Sequence, residues 1–195
     1  MKKLHMLNKI SILILLTTIF PDLHSQIVYK IKPDKSSMII KGTSTLHNWE
    51  ENVVKFSCTL DLSKKETHPE ISSVNFLCKD RDIKSDYSLM DKKTMAALKS
   101  IKHPDITFKN GSILNMKYNK GNFSGNLTGD LSIAGITKKV NVSFKGNKVS
   151  DNQIRIEGEK AIDLKDFNII PPVAMFGTLK TGNTVTVVFS FLFTA

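Results

Sequence analysis

Beyond the first 25 residues, the side chains with the strongest claim to chemistry are three histidines, two cysteines and a run of aspartates. His47, His68 and His103 are far apart in sequence, and no His-Glu-x-x-His, Cys-x-x-Cys or His-x-His spacing gathers them into a metal signature. Asp80, Asp82, Asp86 and Asp91 lie close together, yet a carboxylate run beside a turn reads as a solvated edge before it reads as a catalytic pair. In Gly121-Asn122-Phe123-Ser124-Gly125 the serine stands one place off the Gly-x-Ser-x-Gly nucleophile elbow. Neither a phosphate-cradling loop nor a dinucleotide fingerprint occurs. The sequence therefore makes no positive case for catalysis, a metal or a cofactor.

Two further residues could recognise a ligand without transforming it. Trp49 is the only tryptophan and follows His47 and Asn48. It suits either a core aromatic or a wall of a ligand mouth. Arg81 directly follows an apolar strand pattern, and it can pair with Asp80 or Asp82 or serve as a cation for a ligand's polar head.

The chain opens with Lys2, Lys3 and Lys9, an apolar run from Ile10 to Phe20, Pro21, and a small residue at Ser25. That order predicts a secretory signal peptide over residues 1–25, and a mature domain over residues 26–195 exported to the periplasm or beyond. Net charge falls from +10 to +8 on cleavage. Only Arg81 and Arg155 are arginines, and the lysines are dispersed, which suits solvated strand faces and loose attraction to an anionic membrane. It does not suit a nucleic-acid interface, which clusters charge and uses Arg forks.

Most of what would position these residues is β-structure. From Gly125 to Phe144, Leu127, Leu131 and Ile133 share one parity before a Gly-containing break, and Val140, Val142 and Phe144 share one after it. Period-two alternation of this kind predicts a half-buried hairpin. Further strands are expected at 27–31, 38–42, 53–62, 71–78, 106–109, 113–118, 154–164 and 185–193, with turns at Asn110-Gly111, 119–122 and between Gly146 and Asn152. Cys58 shares a face with Val54, Phe56 and Leu60, and Cys78 with Val74 and Phe76, so the two could be cross-strand neighbours. A disulfide and a pair of buried free thiols both remain open. One helix is expected from Ser88 to Ile101, opened by a capping box of Ser88 and Asp91 and stopped before Pro104. Eight to ten short antiparallel strands with one helix predict an all-β barrel or sandwich.

Three segments together resemble the YceI-like, polyisoprenoid-binding family: Ser44-Thr45-Leu46-His47-Asn48-Trp49, then Arg81-Asp82 with MDKKTMAALKSIKHPDITF, then LSIAGITKKVNVSF. The last is similar to the family's L-T-I-x-G-x-T-K-x-V signature. A departure falls at Phe167-Asn168-Ile169, where many members carry Phe-Gly-Ile, although Asn also tolerates the left-handed conformation. The resemblance implies a lipocalin-like barrel of about eight antiparallel strands, holding an isoprenoid or fatty-acyl amphiphile without chemical turnover. It implies a lining drawn from Phe56, Phe76, Phe108, Leu131 and Ile133, continued by Phe144, Val187, Phe189 and Phe191. Met90 and Met95 would edge the mouth, and His47, Trp49 and Arg81 would orient the head group. The rival expectation is an interaction module whose barrel is filled by its own side chains; a continuous cavity would favour the carrier.

Overall fold

The computed structural model describes residues 26–64, 69–174 and 177–195; the signal-peptide expectation for residues 1–25 and the loop around His68 lie outside the described residues. The chain begins with β1 (Gln26–Ile31), β2 (Ser37–Thr43), β3 (Asn48–Val53), β4 (Phe56–Lys64), β5 (Pro69–Lys79) and the short β6 (Ile83–Lys84). The helix α1 (Ser88–Ala97) follows, then β7 (Asp105–Asn119), β8 (Asn122–Ile133), β9 (Ile136–Ser150) and β10 (Gln153–Asp163). A small separate ladder, β11 (Val173–Ala174) with β12 (Leu179–Lys180), precedes the last strand, β13 (Thr184–Thr194).

All main-sheet pairings are antiparallel, and β1 closes the sheet by pairing with both β4 and β13. β1 and β2 meet the same edge of β13 and form one wall strand interrupted by a single 3-10 turn at Pro33–Lys35. β3 and β4 likewise form one broken strand, as do β5 and β6. The result is a closed eight-stranded meander barrel, with no long edge left unpaired among the described residues.

The hairpin over residues 125–144 forms as its alternation predicts, within β8 and β9. Its link is tighter than the sequence suggests: Ala134 and Gly135 both take positive φ, 50° and 82°, in a two-residue turn with Ile133 opposite Ile136. Leu131, Ile133 and Phe144 are buried.

Four local expectations are corrected. Residues 53–62 are not one strand, because Val54 and Lys55 break it and flip its parity. Trp49, Glu51 and Val53 face inward before the break and Phe56, Cys58 and Leu60 after it, while Val54 is 57% exposed. Asn110-Gly111 is not a hairpin turn: Asn110 has φ 54°, but that left-handed residue makes a bulge within β7. Gly146 lies inside β9, where a Cβ would strike the Phe123 ring, so the turn comes only at Asp151-Asn152. The helix ends at Ala97, the chain then passing through left-handed Lys99 (φ 58°), and Ile101 is fully exposed. Its N-cap position is Tyr87, and Asp91 turns away from Ser88 to accept from the Ser85 amide and hydroxyl, each at 2.8 Å. That arrangement anchors the loop entering the helix instead of closing a capping box.

Candidate functional site

The inward faces of the wall strands enclose a cavity of about 730 Å³. That lies within the roughly 300–1,000 Å³ of small-molecule sites, and far exceeds the ~30 Å³ share of a single water. The barrel's lower end is plugged by its own side chains: Tyr29 and Leu62 are buried, and Met116, Phe123 and Ile154 pack against the same core. The opposite end is open. His47, Asn48, Asp86, Tyr87, Leu89 and Val173 all line the cavity and are exposed, so the mouth lies between the β2–β3 loop, the start of α1 and the segment before β11.

Each rim element is tied down by polar contacts. In Ser44-Thr45-Leu46-His47 the Ser44 hydroxyl donates to the His47 carbonyl at 2.8 Å and accepts from the Leu46 and His47 amides. Thr45 exchanges hydrogen bonds with Lys180, its amide donating to the Lys180 carbonyl at 3.0 Å and its hydroxyl accepting from the Lys180 amide at 3.2 Å. The hydroxyls of this motif therefore shape the loop. Trp49 lies across Gly42, where any Cβ would overlap its ring, and its Nε1 donates to the Thr43 carbonyl at 3.0 Å. From the helix Lys93 donates to the Val173 carbonyl at 3.0 Å, and from just beyond its end Lys99 donates to the Asn168 carbonyl at 3.1 Å, bracing α1 against the opposite rim. Asn168 is left-handed, with φ 51° and ψ 36°, so the turn survives the replacement of glycine there.

Eleven of the expected site residues line this cavity: His47, Trp49, Phe76, Met90 and Phe108, then Leu131, Ile133, Phe144, Val187, Phe189 and Phe191. Three are placed differently. Phe56 faces inward but is packed behind other rings and does not border the cavity, its ring 5.3 Å from Phe191 and 6.2 Å from Phe76. Arg81 sits exposed in the 3-10 turn after β5 and is absent from the described lining, because that turn carries it out of the strand's alternation. Met95 is also absent from the lining; the helix presents Leu89, Met90, Lys93, Thr94, Ala97 and Leu98 instead.

Cys58 and Cys78 are buried free thiols that face the cavity. Cys58 is opposite Phe76 and Cys78 opposite Phe56, so the cysteines are diagonal neighbours. Diagonal positions are about 7–8 Å apart, wider than a disulfide accepts without movement. Burial pushes both thiols up to about 12, with Asp80, Asp82 and Asp105 adding to the effect at Cys78. They are unreactive in this setting.

Sequence reading missed Glu51. It is 1% exposed, lines the cavity from β3 and accepts from the Thr94 hydroxyl at 2.7 Å. Loss of water raises its pKa above 4.5, and nearby Asp91 adds to that, partly opposed by the Thr94 hydrogen bond. Asp91 itself is held low, chiefly by the Ser85 amide. No group of three or more metal-ligating side chains occurs among the described residues.

A YceI-like domain model matches residues 29–193, nearly the whole described barrel. The chain belongs to the YceI-like family. The barrel is similar to BcnA of Burkholderia cenocepacia, with TM-score 0.68 and 16% identity over 83% of this chain and 98% of that one. It is similar also to a polyisoprenoid binding domain from Saccharophagus degradans implicated in plant cell wall breakdown, with TM-score 0.62 and 9% identity over 86% and 98% of the two chains. The Campylobacter jejuni YceI protein gives TM-score 0.57 and 16% identity over 73% and 82%. At these identities the likeness establishes the fold. No curated protein matches the sequence.

Proposed function

We propose that this YceI-like protein is an exported carrier or sequestering protein that holds an isoprenoid, or a similar long-chain amphiphile, inside its barrel without chemical turnover. The observation that carries this reading is the continuous cavity of about 730 Å³ with its apolar strand lining. A self-filled module would have only water-sized voids; here self-filling is confined to the lower plug. Each methylene buried in such a lumen contributes roughly 0.8 kcal/mol. A few isoprene units therefore offset an association cost of at least about 4 kcal/mol. The polyisoprenoid-binding description of the Saccharophagus domain supports the same ligand class. Export rests on the basic, apolar and small-residue order of residues 1–25.

Loading from a bilayer fits the rim. Leu46, Tyr87 and Leu89 are 72%, 72% and 65% exposed, apolar or aromatic, and grouped at the mouth. Lys92, in the same helix, is exposed and suited to anionic headgroups. The test is uptake of a fluorescent prenyl chain from vesicles by mature protein. Saturable one-to-one uptake is expected, reduced at least tenfold in Val142→Trp, which fills the lumen from β9. Equal uptake by a Val142→Trp protein that melts as a single folded species would contradict an occupied lumen.

A further inference from the structure

The lumen is not apolar at every level. Lys160 on β10 pairs with Val187 on β13, Val187 with Ile40 on β2, and Ile40 with Glu51 on β3. Glu51 and Lys160 therefore occupy one lateral row of the wall, and both line the cavity. They stand on inward positions, Glu51 in the set Trp49, Glu51 and Val53, and Lys160 in the set Ile156, Gly158, Lys160 and Ile162. Three steps of roughly 4.8 Å put their backbones about 14 Å apart along the wall. Two inward side chains and a small head between them can span that.

Stability gives no account of this row. An acid and a lysine placed in an apolar wall cost free energy unless they are paired, and an apolar substitute is often no less stable. Here they are not paired with each other. The Glu51 carboxylate accepts from Thr94, and Lys160 has no ion-pair partner among the described residues. Trp49 lies one level above, toward the mouth, and Met38 and Phe189 lie below. A ligand tail would therefore run downward, leaving its head at the level of the two polar groups.

We infer that Glu51 and Lys160, with Thr94, form a head-group site that selects an uncharged, oxygen-bearing head able both to donate and to accept hydrogen bonds. An anionic head such as a phosphate would gain Lys160 but would face Glu51, with Asp91 close enough to act on the same carboxyl. A bare hydrocarbon would leave both groups unsatisfied. This assignment rests on the carrier reading above and specifies which end of the amphiphile enters last.

The test uses displacement of a polarity-sensitive fluorescent lipid from the mature protein by three probes of one chain length: farnesol, the corresponding hydrocarbon and farnesyl phosphate. Wild type is expected to prefer farnesol. Glu51→Leu and Lys160→Met should each weaken farnesol binding about tenfold, about 1.4 kcal/mol, while hydrocarbon binding tightens as the unsatisfied group is removed. Glu51→Gln should keep farnesol and improve the phosphate. Thr94→Val, which removes the third member of the site, should also weaken farnesol binding, and thermal melts establish that each variant is folded. Equal changes for all three probes would mean that the pair only shapes the wall, overturning the site but leaving the carrier reading intact. If wild type binds neither the fluorescent lipid nor any of the three probes, the carrier reading falls, and this site with it.

Discussion

The two ends of the barrel continue the same alternating strands but are finished in opposite ways. At the lower end Tyr29, Leu62, Met116, Phe123 and Ile154 fill the interior, and Gly146 lacks a side chain so that Phe123 can lie where it does. At the upper end the strands stop supplying filling. The mouth is built from loops held by Ser44, Thr45, Lys93 and Lys99, all of which spend their hydrogen bonds on backbone carbonyls or amides. Close packing keeps one end shut, while directional polar contacts hold the other open at little cost in lumen volume. Substitutions at the two ends should accordingly separate stability from binding.

The largest effect is expected at the plug. Leu62→Ala removes a buried side chain that does not border the cavity and should cost about 2–5 kcal/mol, read as a lower urea midpoint with ligand affinity at saturation of folding unchanged. A loss of affinity with no loss of stability would break the division. Next is Gly42→Ala at the mouth, which drives a methyl into the Trp49 ring. It should cost about 1–3 kcal/mol, and the emission of this only tryptophan should shift as the indole is displaced. Lys93→Met should be smaller, about 0.5–1.5 kcal/mol. It removes the bond to Val173, and stopped-flow release of a bound fluorescent lipid should quicken. Release at the wild-type rate would show that the helix brace does not set access.

The smallest effect depends on pH. The folded-state pKa of Glu51 lies above its ordinary 4.5, so the native state binds the proton more tightly than the unfolded chain. The ionisation penalty of its burial is therefore absent below that value and destabilises progressively as pH rises through the raised folded pKa. Asp91 works the other way: its lowered pKa stabilises above 3.8 and is lost on acidification through the folded value. Wild type should fall behind Glu51→Gln in thermal stability as pH climbs from 4.5 toward neutrality. Parallel pH curves for the two proteins would contradict a desolvated carboxyl.

The closed wall was legible because its pattern is redundant. Leu127, Leu131 and Ile133 keep one parity before the turn and Val140, Val142 and Phe144 keep one after it, and a single strand register places them all. The polar row was not legible for two different reasons. The break at Val54-Lys55 reverses parity, so beginning the strand at Val53 left Glu51 outside the face it belongs to. Lys160 lay inside a recognised strand, but a lysine there looks like any solvated strand lysine until the register sets it beside Val187. Arg81 failed in the reverse direction, since a single 3-10 turn after β5 carries it out of the wall. Gly111 and Gly146 were read as turn formers, whereas each leaves room for a neighbouring aromatic ring, Phe108 and Phe123 respectively.

Native mass spectrometry of the protein purified from its own host, followed by solvent extraction of the same sample, tests the occupied lumen most directly. The account predicts a one-to-one complex that releases an amphiphile with a long apolar chain and an uncharged, oxygen-bearing head. Protein that carries no stoichiometric lipid and takes up no added prenyl chain would contradict it.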